Sequence, residues 1–196
     1  MEIDPGFPDG ATPIDAEEVA GLMPSVTTQE QLNQFEALNV AEGATWAERS
    51  RALRRDLLDQ RSLKLLHKHM FGKTWKWAGA YRITQKNIGC EAWMIPVELK
   101  NLSDDVNSWL DYSTYSFEEI AARFHHRLVS IHPFPNGNGR HARLATDLLC
   151  RQVGASQPSW GSGDLVSEGE ARNAYIEALQ AADGNDYGPL IQFIWS

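Results

Sequence analysis

The sequence predicts a mainly α-helical domain, and three observations carry that expectation. Apolar residues recur at three- and four-residue spacing over most of the chain, capping pairs stand before several of those runs, and, after the first 26 residues, the stretch 73–96 changes character, without helical periodicity. The 196 residues suffice to bury a core. With 42% apolar and 22% charged residues, the composition is that of a globular chain rather than a disordered or fibrous one.

Residues 1–26 are rich in Pro, Gly and Asp, with one helix-like patch at Asp15, Ala16, Glu17, Glu18 and Val19. They read as an arm laid on a helical domain spanning 27–196. Thr28 followed by Gln31 forms a capping box that opens a helix carrying Leu32, Phe35, Leu38 and Val40, expected to stop near Gly43. Trp46, Leu53, Leu57 and Leu58, then Leu63, Leu65, Leu66 and Met70, continue the pattern as two helices joined around 59–62. In 73–96, Trp75, Trp77, Tyr81, Ile83, Ile88 and Trp93 stand among Gly79, Gly89 and polar residues, which predicts a short β-hairpin or flap.

Helical spacing returns with Leu99, Leu102, Val106, Trp109 and Leu110. Ser116 with Glu119 then caps a helix bearing Ile120, Phe124 and Leu128. A polar turn over 132–138 leads into a helix with Ala142, Ala145, Leu148 and Leu149, which Gly154 ends as a C-cap. Ser167 with Glu170 opens the next helix, striped by Tyr175, Ile176 and Leu179. Leu190, Ile191, Ile194 and Trp195 close the chain as a final short helix.

A net charge of −8 and a pI near 5.2 leave no basic face for a phosphate backbone, so nucleic acid is not expected as a partner. Cys90 and Cys150 lack the paired spacing of a zinc site or disulfide framework, which points to a reducing cytoplasm. The acidic start, Met1 to Pro5, is unlike a basic signal peptide, and no apolar run nears the roughly 20 residues of a membrane span.

The chemistry concentrates in one run, His132-Pro133-Phe134-Pro135-Asn136-Gly137-Asn138-Gly139-Arg140-His141-Ala142-Arg143. Gly137 and Gly139, flanking Asn138, let the backbone turn its N–H groups inward, and the helix start adds unpaired donors and a positive dipole end. Phosphate oxygens suit such a nest. Arg140 and Arg143 share a face of the first helical turns, where cations sit poorly against the dipole unless an anion offsets them. His132, just before the nest, has an ordinary pKa of about 6.5 and is available as a general base. Phe134, between prolines, anchors the loop.

This run resembles the signature of the Fic family, His-x-Phe-x-(Asp/Glu)-Gly-Asn-Gly-Arg-x-x-Arg, at every specified place except Asn136. Trp77, Ala78 and Gly79 before Tyr81 and Arg82, and Asn87, Ile88 and Gly89 before Ile95 and Pro96, are similar to the flap preceding the Fic core. The arm, with Gly10, Ala11, Thr12, Pro13, Ile14 and Asp15, resembles the Fic subgroup called mobile mystery protein B, which has a toxin–antitoxin-like character.

The resemblance implies an α-helical Fic core that transfers AMP from ATP to a Ser, Thr or Tyr hydroxyl of a target protein. His132 would be the base. Gly137, Asn138 and Gly139 would form the anion nest, and Arg140 and Arg143 would neutralise the phosphates. The flap residues Thr84, Gln85, Lys86, Asn87, Ile88 and Gly89 would receive the target as an added strand.

Asn136 stands where such enzymes place an acid that helps hold Mg²⁺, and an amide is a poorer ligand for that hard cation. Doc-like phosphoryl transfer, and a nucleotide-binding regulatory protein with little turnover, therefore stay open as alternatives. Many Fic enzymes are silenced by a helix bearing Ser/Thr-x-x-x-Glu-(Gly/Asn). Glu42 and Gly43 supply half of that pattern, with Leu38 in place of the hydroxyl residue. An inhibitory Glu42 would pair with Arg143; otherwise inhibition would fall to a separate protein. His67 and His69, like the adjacent His125 and His126, diverge on their helices, and no metal is expected there.

Overall fold

The computed structural model describes residues 16–163, 165 and 169–196, so the arm residues before Ala16 and the expected Ser167 cap lie outside the described part. Helix α1 (Ala16–Val19) is a single turn. Helix α2 (Gln29–Arg49) starts where Thr28 Oγ1 accepts the Gln31 N–H at 3.2 Å. It runs past Gly43 instead of stopping there. A Cβ at Gly43 would lie 2.8 Å from the His69 carbonyl oxygen and from the Met70 backbone, so this glycine lets two helices approach rather than ending one.

Ser50 separates α2 from the short α3 (Arg51–Arg55), and Asp59 caps α4 (Gln60–Phe71) by accepting the Arg61 N–H at 2.7 Å. Helix α5 (Ile95–Tyr112) follows a 3-10 turn at Ala92–Met94. Ser116 caps α6 (Phe117–Ile131), which leads through the 132–137 turn to α7 (Asn138–Val153). Gly154, at φ +73°, ends α7. After a 3-10 turn at Trp160–Ser162, α8 (Glu170–Asp183) and α9 (Gly188–Ile194) complete the chain.

Helix α6 is the spine of the bundle. One set of its side chains, Ile120, Phe124 and Leu128, joins a core with Leu63, Leu66, Phe71, Leu99, Leu102 and Leu149. Ala122, on another face, lies in a second cluster with Tyr175, Ala178, Leu190 and Ile194 from α8 and α9. Each fully buried leucine or phenylalanine contributes about 1.5–3 kcal/mol, which fixes the direction in which α6 delivers its C-terminal residue.

The hairpin expected over 73–96 is not formed; among the described residues this stretch is a series of turns. Its backbone groups are engaged elsewhere. Lys76 N–H donates to the Gly21 carbonyl at 2.8 Å and Met23 N–H to the Thr74 carbonyl at 2.9 Å, so this part of the chain pairs with the arm. Leu22 and Trp75 form an isolated antiparallel bridge there. Further on, the Arg82 side chain takes the carbonyls of Thr84 and Cys90, which a second strand would otherwise have used.

Candidate active site

Helix α6 ends on His132, which adopts a left-handed conformation at φ +52° and ψ +61°. A residue with a Cβ pays about 1–2 kcal/mol for that geometry, so the surroundings must hold it. Pro133 stops the helix, and Arg82 supplies the clamp. Its Nε–H donates to the His132 carbonyl at 2.7 Å, Nη1 to the Thr84 carbonyl at 3.0 Å, and Nη2 to the Cys90 and Ile131 carbonyls. In return the Arg82 N–H donates to the Pro133 carbonyl at 3.0 Å. Gly89, at φ +116°, closes against this clamp; a Cβ there would sit 2.5 Å from Arg82 Nη2 and 2.8 Å from His132 Cβ.

The loop from 133 to 137 is held from beneath. Phe134 is fully buried and stacks on the His67 imidazole, with centroids 3.8 Å apart. Asn138 Oδ1 accepts the Phe134 N–H at 2.9 Å while its Nδ2 donates to the Phe134 carbonyl at 2.8 Å. The Asn138 side chain is thus engaged within the loop, leaving its main chain to face a ligand. His67 receives the Gly79 N–H on Nδ1 at 3.0 Å and therefore donates its Nε2–H to the Asn136 carbonyl at 3.0 Å. His141 donates its Nε2–H to the Leu63 carbonyl at 3.0 Å and meets Phe134 edge to face.

Gly137, at φ +78°, is the N-cap of α7, and no side chain caps that helix. The N–H of His141 makes the first intrahelical bond, to the Gly137 carbonyl at 2.9 Å, so the N–H groups of residues 138–140 precede the helical ladder. The two glycines serve different ends. A Cβ at Gly137 would strike the Phe71 ring at 2.6 Å, whereas at Gly139 it would meet only Arg143 Nη1 at 3.6 Å. Packing within the chain forbids a side chain at Gly137 alone; at Gly139 the absent side chain leaves the cleft floor open.

The two arginines have unlike partners. Arg140 Nη1 donates at 2.7 Å to Glu36 Oε2, whose other oxygen accepts the Trp75 Nε1–H at 2.6 Å, and its guanidinium lies over the Phe71 ring. A buried carboxylate thus neutralises Arg140. Arg143 instead meets the Tyr175 hydroxyl and lies 5.6 Å from the Tyr175 ring centroid. Thr146 gives its hydroxyl proton to the Ala142 carbonyl at 2.8 Å, so it accepts from His125 Nδ1; His125 Nε2 then accepts from the Tyr175 hydroxyl at 2.8 Å. Along this chain Arg143 is oriented by a phenol, and its charge remains available to an anion.

These elements surround one cleft of ≈440 Å³. His132, the 136–140 loop and Arg143 form one side, Ile88 of the flap reaches its edge, and Leu165, Tyr175, Ile176 and Leu179 form an apolar opposite wall. Arg172 and the Asp183–His126 pair, 2.8 Å apart, complete the rim. Burial, and next the Arg82 cation, lower the His132 pKa to about 4, which leaves the imidazole neutral near pH 7. The cleft thus combines a neutral proton acceptor, a helix start open to anions, and an oriented guanidinium.

Glu42 lies elsewhere. It pairs with Lys73 at 2.5 Å on the surface, while Arg143 faces Tyr175; the carboxylate of α2 that reaches the signature is Glu36, on Arg140. Sequence reasoning missed Glu36, Arg82, His67 and Tyr175. Only Arg82 had a signal, as the residue after Tyr81 in the flap pattern that resembles the Fic family.

Residues 57–150 match the Fic/DOC family. The chain is 32% identical over 120 residues to the protein adenylyltransferase Fic of Nematostella vectensis, a match covering 60% of this chain and 26% of that protein. It is equally similar to the protein adenylyltransferase fic-1 of Caenorhabditis elegans, over 60% of this chain and 22% of that one. The matched part thus spans about a quarter of the length of these curated relatives. Among solved structures, a fragment of C. elegans Fic-1 superposes with a TM-score of 0.64 at 26% identity, covering 91% of this chain and 51% of that one. The ADP-bound N-terminal Fic domain of a Bartonella quintana cell filamentation protein gives 0.68 at 20% identity, over 87% and 86% of the two chains. The family match, together with the helical bundle and the signature loop, identifies residues 57–150 as a Fic/DOC-family domain within this chain.

Proposed function

We propose that this chain transfers AMP from ATP to a Ser, Thr or Tyr hydroxyl of a target protein, with His132 as general base. The observation that carries this reading is the convergence of neutral His132, the uncapped start of α7 and Arg143 on one cleft. The curated relatives are protein adenylyltransferases, and related Bartonella domains bind ADP or AMPPNP, which supports a nucleotide as the ligand.

In this reading the phosphates lie on the N–H groups of residues 138–140, with Gly139 allowing close approach and Arg143 offsetting their charge. The apolar wall of Leu165, Ile176 and Leu179 flanks the nucleoside. His132 accepts the proton of the target hydroxyl as its oxygen attacks the α-phosphorus, and the bond to the β-phosphate oxygen breaks to release pyrophosphate. The anionic ligand raises the His132 pKa from its low value toward the working range of a base. Arg140, held by Glu36, keeps the loop in place and adds a weaker field.

Magnesium does not fit the donor set well. Asn136 offers a neutral amide where a carboxylate would be needed, and Asp183, the carboxylate on the described cleft lining, is paired with His126 across the rim. No step here runs through a metal. The sequence pattern from Gly10 to Asp15 supports the mobile mystery protein B subgroup, with 1–26 read from the sequence as an arm before the 27–196 domain. The free cysteines Cys90 and Cys150 support a reducing cytoplasm. With Glu42 on Lys73, silencing of the site would come from a separate inhibitory protein.

The test is incubation with ATP labelled at the α- or the γ-phosphate in a cell lysate. Protein labelling from the α position alone supports AMP transfer. Labelling from the γ position alone would instead make the chain a Doc-like phosphotransferase. Nucleotide binding without labelling from either position would make it a regulatory nucleotide-binding protein.

A further inference from the structure

A buried ion pair joins the described part of the arm to the 84–89 segment of the flap. Glu18, on α1, holds the Lys86 ammonium at 2.7 Å, with the two side chains only 12% and 3% exposed. The same turn is seated on the base of the flap by backbone and packing. Trp77 Nε1–H donates to the Glu18 carbonyl at 3.1 Å, and a Cβ at Gly21 would lie 2.6 Å from the Trp77 ring. The two ends of the flap are fixed separately, because Arg82 binds the carbonyls of Thr84 and Cys90. Between those ends, Lys86 turns inward to the arm while Gln85 and Asn87 on either side are exposed.

The geometry points to Glu18 and Lys86 as positioning residues: a latch by which the arm sets the shape of 84–89 for the incoming target protein without touching the nucleotide. This rests on the reading that 84–89 receives the target. Removing the carboxylate takes this counter-charge away from the buried Lys86 ammonium, an unfavourable change, so the flap rearranges toward hydrating it. The phosphate nest is held by a separate set of contacts, from His67, Asn138 and Phe71, and keeps its geometry. Lys86 also lies near enough to His132 to add to the cationic field that keeps that imidazole neutral.

The test uses the full chain with Glu18→Gln. Amine labelling by a succinimidyl ester, read by mass spectrometry, is compared at Lys86 and at the exposed Lys100. In the wild-type protein Lys86 is expected to react at least about tenfold more slowly than Lys100; in Glu18→Gln that gap closes. Glu18→Gln is also expected to raise KM for the target protein about tenfold, with ATP affinity within about twofold of wild type. Glu18→Asp, which keeps the charge, should stay within about threefold of wild type in each readout. Fast labelling of Lys86 in the wild type, unchanged labelling in Glu18→Gln, or equal losses of ATP and target affinity would each overturn the latch. So would a Glu18→Asp protein as impaired as Glu18→Gln. The labelling needs neither nucleotide nor target, so a wild-type chain that transfers no AMP would count against the proposed function and not against the latch.

Discussion

The His67 imidazole ties Asn136 of the signature loop to Gly79 at the base of the flap, with Nε2 and Nδ1 each in a 3.0 Å hydrogen bond. Burial, with the neighbouring His141 and Arg140, holds its pKa well below 6.5, so both bonds depend on the neutral ring. His67→Phe keeps a ring against Phe134 but removes the hydrogen bonds to the part-buried Asn136 carbonyl and Gly79 N–H. We predict a loss of about 1–3 kcal/mol in urea unfolding, since each hydrogen bond lost contributes roughly 0.5–1.5 kcal/mol net. A loss below about 0.5 kcal/mol would show that water replaces both bonds.

Asn136→Asp places a carboxylate beside the phosphate nest. Transfer is expected to become more dependent on Mg²⁺ and faster at saturating metal. An unchanged or lower rate would mean that this loop geometry gives the metal no place.

Glu42 is more than half exposed and meets Lys73, and an exposed pair of this kind contributes about 0–1 kcal/mol. Glu42→Gly is therefore expected to leave the modification rate within about twofold of wild type. A several-fold gain in auto-modification would return Glu42 to an inhibitory role.

Stability should decline as pH falls below about 6.5. His67, His125, His132 and His141 all have pKa values lowered chiefly by burial, to about 3 for His125 and about 4 for His132 and His141. The unfolded chain therefore binds these protons first, and each histidine removes about 1.4 kcal/mol per pH unit between its unfolded and folded values. Asp147, raised by burial to about 6, has the opposite sign between about 4 and 6 and offsets one histidine. The urea midpoint is expected to be lower at pH 5.5 than at pH 7.5; an equal or higher midpoint would contradict the neutral buried histidines.

Local rules made much of the helical layout legible. The Thr28 and Ser116 caps and the Gly154 terminus depend on residues three or four apart, and their spacing alone reveals them. Gly43 misled because the reason for it is a helix from another part of the chain. The hairpin failed for a related reason: some of its backbone partners lie far off in the arm, and others on the nearby Arg82 side chain, neither of which periodicity reports. Within the cleft, the signature run stood out by composition. Glu36, His67 and Tyr175 did not, since each reaches the cleft by a contact 32 or more residues away in sequence.

The central claim is that His132 takes a proton from the target hydroxyl while other residues hold the nucleotide. Its most direct test is AMP transfer from α-labelled ATP by His132→Ala beside the wild-type chain, with ATP affinity measured on both. The account predicts that transfer falls by at least about a hundredfold while affinity stays within a few fold. Transfer at the wild-type rate by His132→Ala would contradict it.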